Sequence, residues 1–232
     1  MISLLISARR NSKFLSKLLN SIEAKTNNPS QVEVLVMNHL TDTWNSDLID
    51  NWYKKEFNFS RDRENYGLGR YGLHMYFNHL AKRATGDWLM YLCDDHDIIM
   101  QGWDAYILNH VALRNLYHKD PYVLVPRFDN TGSVNHILSR GMYEALGEMG
   151  SHSHIDSYLN DLFDKSDLPD NVIHQLSEKP MLTDYTVDSS IMTDSHTYVP
   201  YKDGFQPMVH RSDEYNKLIQ IKSLELKNAL QK

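Results

Sequence analysis

The stretch Gly86–Asp97, GDWLMYLCDDHD, constrains the fold more than any other part of the chain. Its apolar run, Trp88-Leu89-Met90-Tyr91-Leu92-Cys93, stops abruptly at Asp94, Asp95, His96 and Asp97. A short apolar run between polar flanks reads as a strand buried on both faces, as in parallel sheets. Open α/β sheets bind ligands just beyond the carboxyl ends of such strands. Three carboxylates and an imidazole placed there repel one another and lose hydration unless a cation or ligand compensates them. Hard oxygen donors favour Mg²⁺ or Mn²⁺, and a histidine is compatible with Mn²⁺. The residues leave a second reading open, a polar turn in which Asp caps the next helix.

The flanking sequence supplies partners for such a strand. Ile2–Ser7 is β-rich, and Ser12 opens a helix with Phe14, Leu15, Leu18, Leu19 and Ile22 at helical spacing. Asn27-Asn28-Pro29-Ser30 ends it, and Val32–Met37 forms a second strand whose carboxyl-end loop begins at Asn38. A helix is predicted from Trp44 to Phe57, then a polar, glycine-rich loop from Arg61 to Gly72. Leu73, Tyr76, Phe77, Leu80, Ala81 and Ala84 share one face of a third helix that leads into Gly86. This βαβ rhythm predicts an α/β domain with a mostly parallel, Rossmann-like central sheet flanked by helices. Right-handed crossovers bring the three carboxyl ends to one edge.

Further on, a helix is expected over Ile98–Leu116 and strands over Tyr122–Val125 and Asn135–Ser139. Helices are expected over Arg140–Met149 and Asp156–Phe163, with a loop at Gly150–His154. Lys165–Gly204 is irregular. The division expected is one domain over 1–211, with halves at 1–104 and 105–211, and an amphipathic helix over 212–232. That helix docks on the domain or on a second subunit, which gives a route to a homo-oligomer.

A formal charge of −6 gives no global basic field for nucleic acid or acidic membranes. Local basic groups remain: Arg9, Arg10, Lys13 and Lys17, and Arg61, Arg63 and Arg70. The single cysteine, Cys93, excludes an internal disulfide and fits a reducing compartment. The opening apolar run is too short for a signal peptide, and no stretch reaches the roughly 20 apolar residues of a membrane span. A cytoplasmic location is expected.

The ordered series ISLLISARRNSKFLSKLLNSI, VEVLVMNHLTD and RENYGLGRYGLHMYFNHLAKRATGDWLMYLCDDHD resembles the family-2 glycosyltransferases of the GT-A fold. The landmarks are Asn65-Tyr66-Gly67, Asn78, Ala81, Gly86-Asp87-Trp88 and the acidic DxD-type stretch Asp94–Asp97. The match spans residues 2–104 and extends more loosely to about residue 165. The resemblance implies transfer of a sugar, hexose or pentose, from a nucleotide-sugar donor with inversion at the anomeric carbon, UDP-sugars being the first choice. It implies Mn²⁺ or Mg²⁺ on Asp95 and Asp97, and Asp94 facing ribose or sugar hydroxyls. His196 is a candidate late ligand of metal or phosphate, and His96 a further candidate ligand.

By the same resemblance Ala8, Arg9, Asn38, Asn65, Gly67 and Arg70 are candidates for the donor nucleotide and its phosphates. The family often places an acidic residue at the end of the second strand; Asn38 stands here and offers both a donor and an acceptor. Ser139-Arg140-Gly141-Met142-Tyr143-Glu144-Ala145-Leu146-Gly147 resembles the segment that precedes the catalytic base. Asp156 is then the candidate base, with Ile155 where a glutamate is usual, and helix capping is its alternative role. His152 and His154 stand nearby, as helpers of the base, acceptor ligands or ordinary loop residues.

Three other functions remain open on the sequence. A nucleotidyltransferase would need a glycine- and lysine-rich phosphate loop where this chain has Ser7–Asn11. A non-catalytic sugar- or nucleotide-binding module is disfavoured by the intact Asp95, Asp97 and Asp156, and a metal-dependent phosphohydrolase fits only Asp94–Asp97. The acceptor is a saccharide, a protein side chain or a hydroxylated DNA base, the last requiring a local basic groove.

Overall fold

The computed structural model describes residues 1–8, 12–39, 46–52, 57–64, 72–129, 135–152, 154–176, 179–184 and 212–231. The first half runs β1 (Ile2–Ala8), α1 (Ser12–Lys25), β2 (Val32–His39), α2 (Ser46–Trp52), β3 (Asn58–Glu64), α3 (Leu73–Arg83) and β4 (Trp88–Cys93). The second half adds β5 (His96–Ile98), α4 (Trp103–Leu113), β6 (Val123–Val125), β7 (Ile137–Ser139) and α5 (Arg140–Leu146). It continues with α6 (Ile155–Lys165), β8 (Ile173–Gln175), β9 (Leu182–Asp184) and α7 (Asp213–Leu230).

The central sheet has seven strands in the order β3-β2-β1-β4-β7-β6-β8, and β5 pairs with β9 in a separate two-stranded sheet. β1 pairs in parallel with β2 and β4, as do β2 with β3 and β6 with β8. β7 is antiparallel to its neighbours β4 and β6. The sheet is therefore mostly parallel, as the sequence predicts.

Every residue of β1 is buried, because helices cover both faces of the sheet. Side chains alternate between those faces. Leu4, Ile6, Val34, Val36, Met90 and Leu92 join the core with Leu15, Leu18 and Ile22 of α1 and Ile49 of α2. Leu5, Leu35, Met37, Leu89 and Tyr91 join the other core with Phe77 and Leu80 of α3 and Leu159 and Leu162 of α6. His136 belongs to this second layer: burial pushes its imidazole down to about 4, opposed by a hydrogen bond with Asn160. It is neutral near pH 7 and packs edge-on to Phe163, with ring centroids 5.3 Å apart.

Several boundaries depart from the sequence expectations. The predicted loop Arg61–Gly72 begins inside β3, and residues 65–71 lie outside the described residues. β3 is an edge strand with a single neighbour, so it needs no continuous apolar run. Phe59 packs on Trp52, while Asp62 accepts from Arg83 and faces His79 Nε2 at 3.2 Å. Arg61 is paired with Asp50. α2 (Ser46–Trp52) lies within the helix expected over 44–57, of which residues 44, 45 and 53–56 lie outside the described residues.

The helix expected from Ile98 starts instead at Trp103, since His96–Ile98 form a strand. Its entry is set by Gly102, whose φ of +69° places it in the left-handed region; a Cβ there would lie 2.6 Å from Asn27 Nδ2. The fully buried Asp104 accepts from the Asn27 and Asn28 backbone N–H groups at 2.9 and 2.8 Å. Within the stretch expected to be irregular, β8 and β9 form, and residues 185–204 lie outside the described residues.

Ser139 and Arg140 brace the sheet where β4 meets β7. Ser139 Oγ donates to Asp120 O at 2.6 Å and accepts from Tyr122 N and Met142 N at 2.8 and 3.0 Å. The Arg140 guanidinium donates to Ala84 O and Gly86 O, at the entry to β4. α7 packs on α5 and α6 of its own chain. Its Tyr215, Ile219 and Leu226 are buried, and Tyr215 Oη donates to Asp161 Oδ2 at 2.8 Å. Among the described residues, no helix is long and apolar enough to cross a membrane.

Candidate active site

Chain order along the sheet reverses between β1 and β4. β2 and β3 extend one side of β1, and the chain then crosses to place β4 on the other. Such a switch point leaves a crevice at the carboxyl ends of the two strands. Register puts Ser7 opposite Cys93 and Ala8 opposite Asn38, so the ends of β1, β2 and β4 form one row. Ala8 and Asn38 are buried in that row. Arg9, Asn65, Gly67, Arg70 and His196, also candidate ligands by sequence, lie outside the described residues, as does Arg10.

The acidic stretch forms a turn between β4 and β5. Its position is fixed from α1, where Ser21 Oγ accepts from the Ile98 N–H at 3.0 Å. β5 is held on its other side by β9, Asp97 standing opposite Thr183. Donor atoms of Cys93, Asp95 and His96 all lie within 4.8 Å of one another. The Oδ1 atoms of Asp95 and Asp97 are shielded from solvent, and Asp94 is half-buried.

His96 points inward, 7% exposed, with its ring against Phe128. Its Nδ1 accepts from the Cys93 backbone N–H at 3.2 Å and stands 3.3 Å from Asn135 Nδ2. A backbone N–H can only donate, so in the neutral ring the proton resides on Nε2. That nitrogen faces Asp95 Oδ1 at 3.9 Å. The imidazole as placed holds the turn and directs its Nε2 toward Asp95. Cys93, Asp95 and His96 are the residues whose donor atoms come close enough for a cation, His96 through Nε2 once that nitrogen gives up its proton; Asp97 stands outside this group.

Asp156 lies in the first turn of α6. The helix N-cap is His154, whose side chain makes no capping bond, so Asp156 is not the capping residue. A carboxylate in the first turn is still favoured by the helix dipole. Its charge acts on Tyr91 of β4. The buried Tyr91 phenol is raised well above its ordinary range, chiefly by desolvation, then by the Asp156 carboxylate and Cys93; a backbone hydrogen bond from His136 opposes them. Asp156 is thus within electrostatic reach of Tyr91 on β4.

His152 is a packing residue: its Nδ1 accepts from His154 N at 3.1 Å, and its ring meets Tyr215 edge-on with centroids 4.9 Å apart. His154 is exposed and stacks on His152. His74, at the start of α3, is lowered by burial and by His152, against Glu148. Sequence reasoning assigned no part to Asn135 or Tyr91, and no functional role to Asn78. Tyr91 lay inside an apolar run, and Asn135 opened an expected strand. Asn78 carried a signal only as a landmark of the family resemblance.

Neither a protein-family model nor a curated protein sequence matches the chain. Solved structures do. Staphylococcus aureus TarS superposes with a TM-score of 0.62 at 18% identity, over 79% of this chain and 36% of that one. TarS 1–349 in complex with UDP-GlcNAc gives 0.61 at 16% identity, over 99% of this chain and 70% of that one. The mannosyltransferase PcManGT from Pyrobaculum calidifontis, in complex with GDP-Man and Mn²⁺, gives 0.56 at 12% identity, over 75% and 56%. The chain thus spans little more than a third of full TarS, and what it shares with these proteins is a glycosyltransferase fold.

Proposed function

We propose that this chain is a metal-dependent, inverting glycosyltransferase of family 2 with the GT-A fold, using a UDP-sugar donor. The carrying observation is the acidic turn at the carboxyl end of β4, beside the switch point, where donor atoms of Cys93, Asp95 and His96 are close enough to hold a metal ion. The complexes of the fold neighbours with UDP-GlcNAc and with GDP-Man and Mn²⁺ support a nucleotide sugar in that crevice.

Asp95 and Asp97 hold Mn²⁺ or Mg²⁺, with His196 as a further ligand. When bound, the cation neutralises the charge that develops on the diphosphate leaving group. Asp94 orients ribose or sugar hydroxyls. Ala8 lines the base pocket with Asn38, whose amide meets a base edge, and Arg9 meets the base or a phosphate. Asn65, Gly67 and Arg70 bring the glycine-rich loop to the pyrophosphate. Asp156 takes the proton from the acceptor hydroxyl. The acceptor oxygen then bonds to the anomeric carbon as the bond to the diphosphate breaks on the opposite side. The acceptor is a saccharide, a protein side chain or a hydroxylated DNA base; the last needs a basic groove, and Arg61, one of its candidate residues, is paired with Asp50.

The test is release of UDP from UDP-GlcNAc by the purified chain with Mn²⁺. UDP release that stops on adding a chelator is expected. Release unaffected by chelation, or none from any nucleotide sugar offered with Mn²⁺ and a panel of acceptors, overturns the proposal.

A further inference from the structure

Asn78 sits on α3 and reaches across to the segment that leads into α6. Its Oδ1 accepts from Met149 N at 2.7 Å and Gly150 N at 3.2 Å, and its Nδ2 donates to Gly150 O at 2.8 Å. Two backbone donors and one backbone acceptor fix the orientation of the amide, and few side chains offer both functions at one position. Met149 and Gly150 are buried, so no water competes for these groups.

The segment so held carries the base. Gly150 packs directly on Ile155 and Tyr158: a Cβ added to it would lie 3.1 Å from Ile155 Cγ1 and 3.6 Å from Tyr158 Cδ1. Ile155 is buried, opens α6 and precedes Asp156. A contiguous path runs from Asn78 through Gly150 and Ile155 to the Asp156 carboxylate. α3 itself begins just beyond the glycine-rich loop and packs on the β4 face that presents Tyr91, Phe77 and Tyr91 lying 5.4 Å apart.

We infer that Asn78 is a positioning residue, one that fixes the base-bearing segment against α3 so that Asp156 stands at the reacting hydroxyl. The inference rests on the reading of Asp156 as the base. Misplacing a reacting group by 1 Å costs about 10²-fold in rate. Among the described residues, the hydrogen bonds of Asn78 run to Met149 and Gly150 and to none of Asn38, Asp95 or Asp97, so its loss lowers turnover and leaves nucleotide affinity alone.

The experiment measures three quantities on the full chain: UDP affinity with Mn²⁺ by calorimetry, kcat for UDP-GlcNAc turnover, and melting temperature. For Asn78→Ala the expected result is a kcat roughly 10- to 100-fold lower, with UDP affinity within about twofold of wild type. Gly150→Ala, whose added Cβ presses on Ile155 while both backbone bonds to Asn78 are kept, moves kcat the same way by less. If Asn78→Ala does not fold, Asn78→Asp is judged by the same criteria, since it keeps the acceptor and loses the donor. A folded variant with near-wild-type kcat and only a lower melting temperature overturns the inference, as does an affinity loss equal to the kcat loss. Asp156→Asn is measured alongside. If it keeps normal turnover, the base assignment fails and takes the inference with it; if it is inactive while Asn78→Ala is fast, the inference alone fails.

Discussion

Asp156→Asn is expected to lower sugar transfer by about 10²- to 10⁴-fold, the usual contribution of a general base, while UDP binds with Mn²⁺ as it does to wild type. The amide has nearly the shape of the carboxylate and cannot accept the acceptor's proton. Asp156 lies in the first turn of α6 without being its N-cap, so the fold does not depend on it as a capping residue. Rate and binding should therefore separate. Single-turnover kinetics and calorimetry on the same preparation check this. Near-normal turnover would remove Asp156 from the chemistry and leave it a surface carboxylate at a helix start.

Gly141→Ala is expected to produce the largest loss of stability. A Cβ at Gly141 would lie 2.1 Å from Lys119 O, 2.5 Å from Lys119 C and 2.7 Å from Asp120 C. These are backbone atoms, and the Gly141 N–H is itself bonded to His118 O at 2.9 Å, so neither side can yield cheaply. Overpacking of this kind costs about 3 kcal/mol or more, a fall in melting temperature of roughly 6–12 °C for a chain of this size. Gly147→Ala is the control. Its φ of +74° carries only a left-handed backbone penalty and its Cβ meets nothing within 4 Å. That costs about 1–2 kcal/mol. Calorimetric melting of both variants distinguishes them, and equal losses would contradict the packing explanation.

The parallel half of the sheet was legible because burial on both faces writes long apolar runs at β1, β2 and β4. β3 was not, because an edge strand is covered on fewer sides and its Arg61 and Asp62 find lateral partners instead of a core. β5 and β9 are three residues each and exist through pairing with one another across a long sequence separation. No local pattern encodes that. Of the candidate site, the acidic turn and Asp156 could be picked out, and the turn lies at the carboxyl end of β4 while Asp156 lies in the first turn of α6. The inward orientation of His96 could not, since it depends on the Cys93 N–H that meets its Nδ1. Asn78 was visible as a polar residue between Phe77 and Leu80, but its partners Met149 and Gly150 are supplied by the tertiary fold alone. α7, expected to dock on the domain or on a second subunit, places Tyr215 and Ile219 against its own chain.

The central claim is that a nucleoside diphosphate and a divalent cation meet at the carboxyl ends of β1 and β4, with Asp95 joining them. The most direct measurement is the melting temperature of wild type and Asp95→Ala with UDP, GDP and other nucleotides, with and without Mn²⁺. A ligand at 100 times its dissociation constant adds about 2.7 kcal/mol of stability. The prediction is a Mn²⁺-dependent rise with one nucleoside diphosphate that disappears in Asp95→Ala. A rise of equal size in Asp95→Ala, or none with any nucleoside diphosphate, would contradict it.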